Sequence, residues 1–104
     1  YPLAQEPIEA VNGFVAHLDD GEISEAYELL CPEAREAVSL EQFTEDFALA
    51  DQITGYTFLS VITTSGFFTT VTGTIEVDGN RRAATFDVRE QDGQYRICSY
   101  DRLV

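Results

Sequence analysis

Apolar residues at the start of the chain fall three and four apart. Ile8, Val11, Phe14, Val15 and Leu18 make one stripe at helical spacing, entered at Pro7 and closed by Asp19-Asp20-Gly21. This predicts a helix over residues 7–19. Ile23, Ala26, Tyr27 and Leu30 make a second stripe and predict a helix over 22–31. Cys31 belongs at its end, because Pro32 disfavours helical backbone in the residue before it. Residues 32–37 leave room for one short helical turn. Ser39 with Gln42 three positions on reads as a capping box, opening a helix over 39–50 that buries Leu40, Phe43, Phe47 and Ala50.

From Ile53 the pattern changes to alternation rich in Thr, Val, Ile, Phe and Tyr. Ser65-Gly66, Asp78-Gly79-Asn80 and Asp92-Gly93 punctuate it as hairpin turns. Four strands follow, over 53–64, 67–77, 81–90 and 94–101. In the second, Phe67, Val71, Ile75 and Val77 share a face opposite Phe68, Thr70, Thr72, Thr74 and Glu76; in the third, Ala84, Phe86 and Val88 share one. The fold class is therefore α+β: N-terminal helices packed on a four-stranded antiparallel sheet, in one domain spanning 1–104.

Two strands depart from simple alternation. The first is apolar on both faces, with Tyr56, Phe58 and Ile62 opposing Leu59 and Val61. In the fourth, if Cys98 reaches Cys31 in the helical layer, Arg96 and Tyr100 lie on the helix side with it. Tyr95 and Ile97 then face outward as a candidate interface. Two explanations stay open: a sheet covered by a second copy, a neighbouring domain or the chain's own tail, or a β-bulge that shifts the register and turns a face around.

Charge narrows the partners. The net charge is −13, and residues 1–51 carry thirteen Asp and Glu against the single Arg35, a net of −12. Residues 52–104 carry six acids against five Arg, a net of −1. Such a field repels phosphate backbones and anionic headgroups, so nucleic acid and direct membrane binding are poor expectations. A basic protein docking on the helical half suits it; the plainer reading is a solvated surface that keeps the chain soluble. The apolar fraction of 44% fits a packed globule, and no apolar run approaches the roughly 18 residues of a membrane span. A start at Tyr1-Pro2 is what a processed or excised chain would show.

Cys31 and Cys98 lie too far apart for a C-x-x-C site, and the single His17 cannot complete a zinc site with them. One ends a predicted helix and the other lies on the last strand. An even count so placed reads as a single disulfide tying the two halves together, and with it an oxidising, extracytoplasmic compartment. Two buried free thiols are the competing reading.

The order of elements resembles the NTF2-like, or cystatin-like, α+β fold. Asp20-Gly21-Glu22, followed by Ala26-Tyr27-Glu28-Leu29-Leu30-Cys31-Pro32, resembles the second-helix signature of small secreted NTF2-like domains of the DUF4878 type common in actinobacteria. Leu40-Glu41-Gln42-Phe43 and Asp92-Gly93-Gln94-Tyr95-Arg96-Ile97-Cys98 match as well. In that group the last strand often reads G-x-W-R-I-C, with its Cys paired to the one ending the second helix; here Tyr95 stands where Trp is usual. The resemblance implies a cone between helices and sheet and carries no active site with it.

Enzymes of this fold work on the wall of that cone, yet the inward residues of strands two and three include no ionisable group. The remaining pocket candidates are Tyr27, Asp46, Tyr56, Arg96 and Tyr100. Without a paired carboxylate or a triad they suggest no general acid–base chemistry. His17 reads as a helix-flank residue. Asp19-Asp20-Gly21-Glu22 lacks the alternating oxygen ligands of a calcium loop. Gln52-Ile53-Thr54-Gly55 resembles the cystatin Q-x-V-x-G but lacks one spacer and the Val. No metal or cofactor is expected. The expected function is a non-catalytic accessory or protein-interaction domain of the cell envelope, working through an envelope protein or a second copy. The alternative is a carrier of a small apolar ligand in the cone, and the third reading is an enzyme.

Overall fold

A computed structural model describes residues 5–64, 68–91 and 93–101. The predicted Ser65-Gly66 turn, Phe67 and Asp92 fall outside the described residues, as do the side chains of Leu59, Ile62 and Phe68. Helices α1 (Gln5–Asp19), α2 (Ile23–Glu28), α3 (Pro32–Ala37) and α4 (Leu40–Asp46) precede a 3-10 turn, Ala50–Gln52. Strands β1 (Ile53–Thr64), β2 (Phe68–Val77), β3 (Asn80–Gln91) and β4 (Gln94–Ser99) form an antiparallel meander in the order β1-β2-β3-β4. The α+β class holds, with helices on one face of the sheet.

Local chemistry explains most boundaries. Pro7 sits in the first turn of α1, where its missing N–H costs nothing. Gly21 ends α1 with φ 79°: its N–H bonds the Leu18 carbonyl and that of Glu22 bonds the His17 carbonyl, a Schellman closure. The Ser39 hydroxyl caps α4 by accepting from the Gln42 N–H at 3.1 Å. The reciprocal arm of the expected capping box is replaced, since the Gln42 side chain donates to Asp46 instead. α4 stops at Asp46 rather than at residue 50 and Leu40 is 42% exposed rather than buried; the helix buries Phe43 and Asp46, Phe47 is buried at its C-terminal end, and the side chain of Ala50 lies outside the described residues. Asp78 and Gly79 both take positive φ, as a two-residue hairpin between twisted strands requires.

α2 ends three residues earlier than expected, and the reason organises the molecule. Residues 29–31 leave the helix to run parallel beside β4. The Ile97 N–H bonds the Leu29 carbonyl at 3.0 Å, and the Cys31 N–H bonds the Ile97 carbonyl at 2.9 Å. Cys31 and Cys98 are joined as a disulfide with their Cα atoms 5.2 Å apart. It therefore crosses the sheet edge sideways instead of descending from a helix onto the sheet face.

This geometry corrects the parity of the last strand. Ile97 is fully buried and Tyr95 is partly buried against the core, so neither forms an outward interface. Arg96 lies on the outer side. Asp87 pairs Ser99 while Val88 pairs Ile97, which leaves Cys98 as a bulge residue; past it Tyr100 returns to the helix side, as expected. Bulges also turn part of β1. Register shifts at Ile53/Gly55 and Phe58/Ser60 bring Ile53, Tyr56, Phe58 and Val61 opposite Val77, Ile75, Gly73 and Val71, all on the core face. The outer face instead carries Thr57, Thr70, Thr72, Thr74 and Thr85, with Thr70 bonded to Asp87 at 2.9 Å. The expected apolar outer patch is absent among the described residues.

The core fills the space between α1 and the sheet. Phe14 packs edge-on against Phe43, Phe47 and Phe86 with ring centroids 5.9, 5.7 and 5.7 Å away, and Phe58 meets Phe86 at 5.4 Å. Phe58 lies across Gly73, where a Cβ would come within 2.7 Å of the Phe58 Cα and closer still to the Thr57 carbonyl. At Gly55 the nearest atom to an added Cβ is 4.0 Å away. Gly73→Ala is expected to destabilise the fold by about 1–3 kcal/mol through overpacking, and Gly55→Ala to be near neutral. Urea denaturation of both decides; equal midpoints would refute the close approach.

Candidate functional site

Of the five predicted pocket residues, three share a neighbourhood. Asp46 closes α4 and is 6% exposed, the one buried charged residue among those described. Its carboxylate accepts from the Gln42 amide at 3.0 Å on one oxygen and from the Tyr100 hydroxyl at 2.8 Å on the other. Tyr100 stands beyond the β4 bulge and packs on Phe43 and Phe47 at 5.6 and 4.9 Å. Tyr27, on α2, meets the other side of Phe43 at 5.3 Å. Its hydroxyl is shared between the carbonyls of Arg35 and Val38, at 3.0 and 2.7 Å, where α3 ends.

The other two lie elsewhere. Tyr56 sits on β1 beside Phe58, with centroids 6.5 Å apart. Arg96 reaches over the sheet edge and donates to the Glu28 carbonyl at 3.0 Å, satisfying the C-terminal end of α2. Chemically, the Asp46–Tyr100 contact places two acids together, one donating to the other. His17 is engaged with Glu22 at 2.7 Å on the exposed helical surface. Among the described residues no group of three or more His, Cys, Asp or Glu is placed to hold a metal. The arrangement is a latch: it fixes the chain after β4 to the C-terminal end of α4.

Sequence reasoning missed a second feature. A groove of about 380 Å³ runs beside the disulfide, walled by Glu33, Ala34 and Ala37 of α3 and by Asp87, Arg89 and Ser99 of the sheet. The Arg89 guanidinium bonds the Glu33 carboxylate across it. That hydrogen bond is the main reason the Glu33 carboxyl titrates below its usual range. Their separation in sequence left no local signal. Two further depressions, of about 330 and 200 Å³, open at the outer sheet face by Gly55 and Thr74 and beside α1 at Leu18 and Ile23.

The disulfide is the mark of an oxidising, extracytoplasmic environment, and among the described residues no helix is long and apolar enough to cross a membrane. No family model matches the chain, and no curated protein is significantly similar to it.

Two measurements test these contacts. Tyr100→Phe removes the donor to a buried carboxylate and is expected to cost about 1–3 kcal/mol in thermal or urea unfolding; an unchanged stability would mean that water replaces the hydroxyl without loss. For Glu33 the sign follows from its lowered pKa. The contribution of the Glu33–Arg89 pair is complete above the ordinary glutamate pKa and is lost as pH falls through the lowered one. Because Glu33 is exposed, salt weakens the pair too. Acidification is expected to lower the amide protection factors of α3, taken against the intrinsic exchange rate at each pH, and Glu33→Gln to remove that step. Protection factors in α3 that stay constant into acid pH would exclude the pair as its anchor.

Proposed function

We propose that this chain is a non-catalytic accessory domain of the cell envelope, secreted or held outside a membrane, that acts by binding protein. The observation that carries the proposal is the filled interior. Phe14, Phe43, Phe58 and Phe86 occupy the space in which a cone-shaped carrier would hold its ligand, and all are fully or almost fully buried. The one buried carboxylate there is committed to Gln42 and Tyr100, which suits a structural latch better than a proton-transfer site. Helices laid over a four-stranded antiparallel meander are also what the resemblance to secreted NTF2-like domains of the DUF4878 type implies.

Binding on this reading belongs to the helical half. Asp19, Asp20, Glu22, Glu25 and Glu28 are all exposed along the α1–α2 turn and α2, within the segment whose net charge is −12. A partner carrying Arg and Lys gains both encounter rate and orientation from such a field. Titration with an arginine-rich peptide is expected to show binding that weakens steeply from low to physiological salt, and to weaken further when Glu22, Glu25 and Glu28 are changed to Gln. An apolar fluorescent probe is expected to show no saturable binding to the folded chain. Saturable probe binding, competed by a fatty acid, would replace this proposal with the carrier. Tight association with DNA or anionic vesicles at physiological salt would also contradict it.

A further inference from the structure

The two edges of the sheet are treated differently. The β4 edge is closed by the backbone bonds of Leu29–Cys31, by the disulfide and by Arg96 on the Glu28 carbonyl. At the other edge, β1 is hydrogen-bonded to β2 alone, and no described segment bonds to its outer side. An open edge is a row of main-chain donors and acceptors ready to receive another strand. Proteins ordinarily block such edges with charge, Pro or bulges. β1 runs for twelve residues, Ile53–Thr64, without a charged residue or a Pro. Its bulges lie at Ile53/Gly55 and Phe58/Ser60, and from Ser60 to Thr64 the register is unbroken.

We propose that Ser60–Thr64 is a pairing edge, and that its occupant is the same segment of a second copy of this chain, joined antiparallel across a twofold axis into a continuous eight-stranded sheet. Two observations select a second copy. The edge of an antiparallel strand is self-complementary under a twofold rotation, because its outward donors and acceptors alternate along the strand. Charge selects it too. A basic partner is drawn to the helical half, at −12, whereas the uncharged β1 lies in the half whose net charge is −1 and sets no like charges of its own against a copy of itself. This surface is separate from the acidic helices, so it stands or falls independently of the partner proposed above.

With the axis near Ile62, residue 60 of one copy faces residue 64 of the other. Ser60→Lys with Thr64→Lys would therefore set like charges against each other at two places. Sedimentation of the unmodified chain up to about 1 mM is expected to show a monomer–dimer equilibrium, and the double variant to stay monomeric with an unchanged circular dichroism spectrum. Amide exchange of the unmodified chain gives an independent reading that needs no variant: protection across residues 60–64 is expected to fall on dilution while that of β2 and β3 holds. A parent that is monomeric throughout overturns the proposal. So does a dimer that survives in the double variant while β1 amides exchange freely, since another surface is then in use. Protection of 60–64 that arises only when a foreign extended peptide is added would replace the second copy with that partner.

Discussion

Three residues, Leu29 to Cys31, hold the two halves of this molecule in register. They leave α2, pair with β4 through two backbone hydrogen bonds, and end in the disulfide to Cys98. Everything on the helical side is placed from there. Pro32 starts α3 directly after the strap, the Tyr27 hydroxyl gathers the carbonyls where α3 ends, and α4 is thereby brought over the sheet with Phe43 and Phe47 pointing at Phe14. On the chain-entropy account, closing a loop of 67 residues contributes about 4 kcal/mol by restricting the unfolded chain. That is a large share of the margin of a domain this size.

The same strap accounts for what is charged and what is not. Because it seals the β4 edge, Arg89 and Arg96 work inside the structure, one binding Glu33 and the other capping α2. The basic residues of the sheet half are thus partly spent on contacts with the helical half. Among the described residues the exposed acids of α1 and α2 are met by His17, on Glu22, and by the Ser24 hydroxyl, on Glu25, rather than by Arg, and the negative field stays concentrated in the helical half.

Features fixed by local chemistry were legible in the sequence. Gly21, Gly79 and Gly93 mark turns that need positive φ, Ser39 marks a cap, and Val71, Ile75, Ala84, Phe86 and Val88 show a buried face by alternation alone. The disulfide was readable from the placement of two Cys. What alternation could not carry was register past a bulge. A single extra residue at Cys98 puts Ile97 and Tyr100, three apart, on one face, and the shift at Phe58/Ser60 does the same for Phe58 and Val61 of β1. The outward reading of Ile97 failed for a further reason: it placed Cys31 above the sheet, whereas Cys31 lies level with its edge. Of the pocket candidates, Asp46 and Tyr100 meet across 54 positions, a pairing that only the fold could reveal, and Tyr56 and Arg96 stand apart.

The disulfide also divides the chain mechanically. Residues 32 to 97, with α3, α4, β1, β2, β3 and most of β4, lie inside a covalent ring, while α1, α2 and the residues after Cys98 lie outside it. A pull applied to the two ends would peel α1 and α2 from the sheet and then meet the sulfur–sulfur link. Tension would pass from Cys31 directly to Cys98 and bypass the ring. The link would thus cap how far residues 32 to 97 can be drawn out, even though the sheet loses the core contacts of Val11, Phe14, Val15 and Leu18 once α1 has been pulled away.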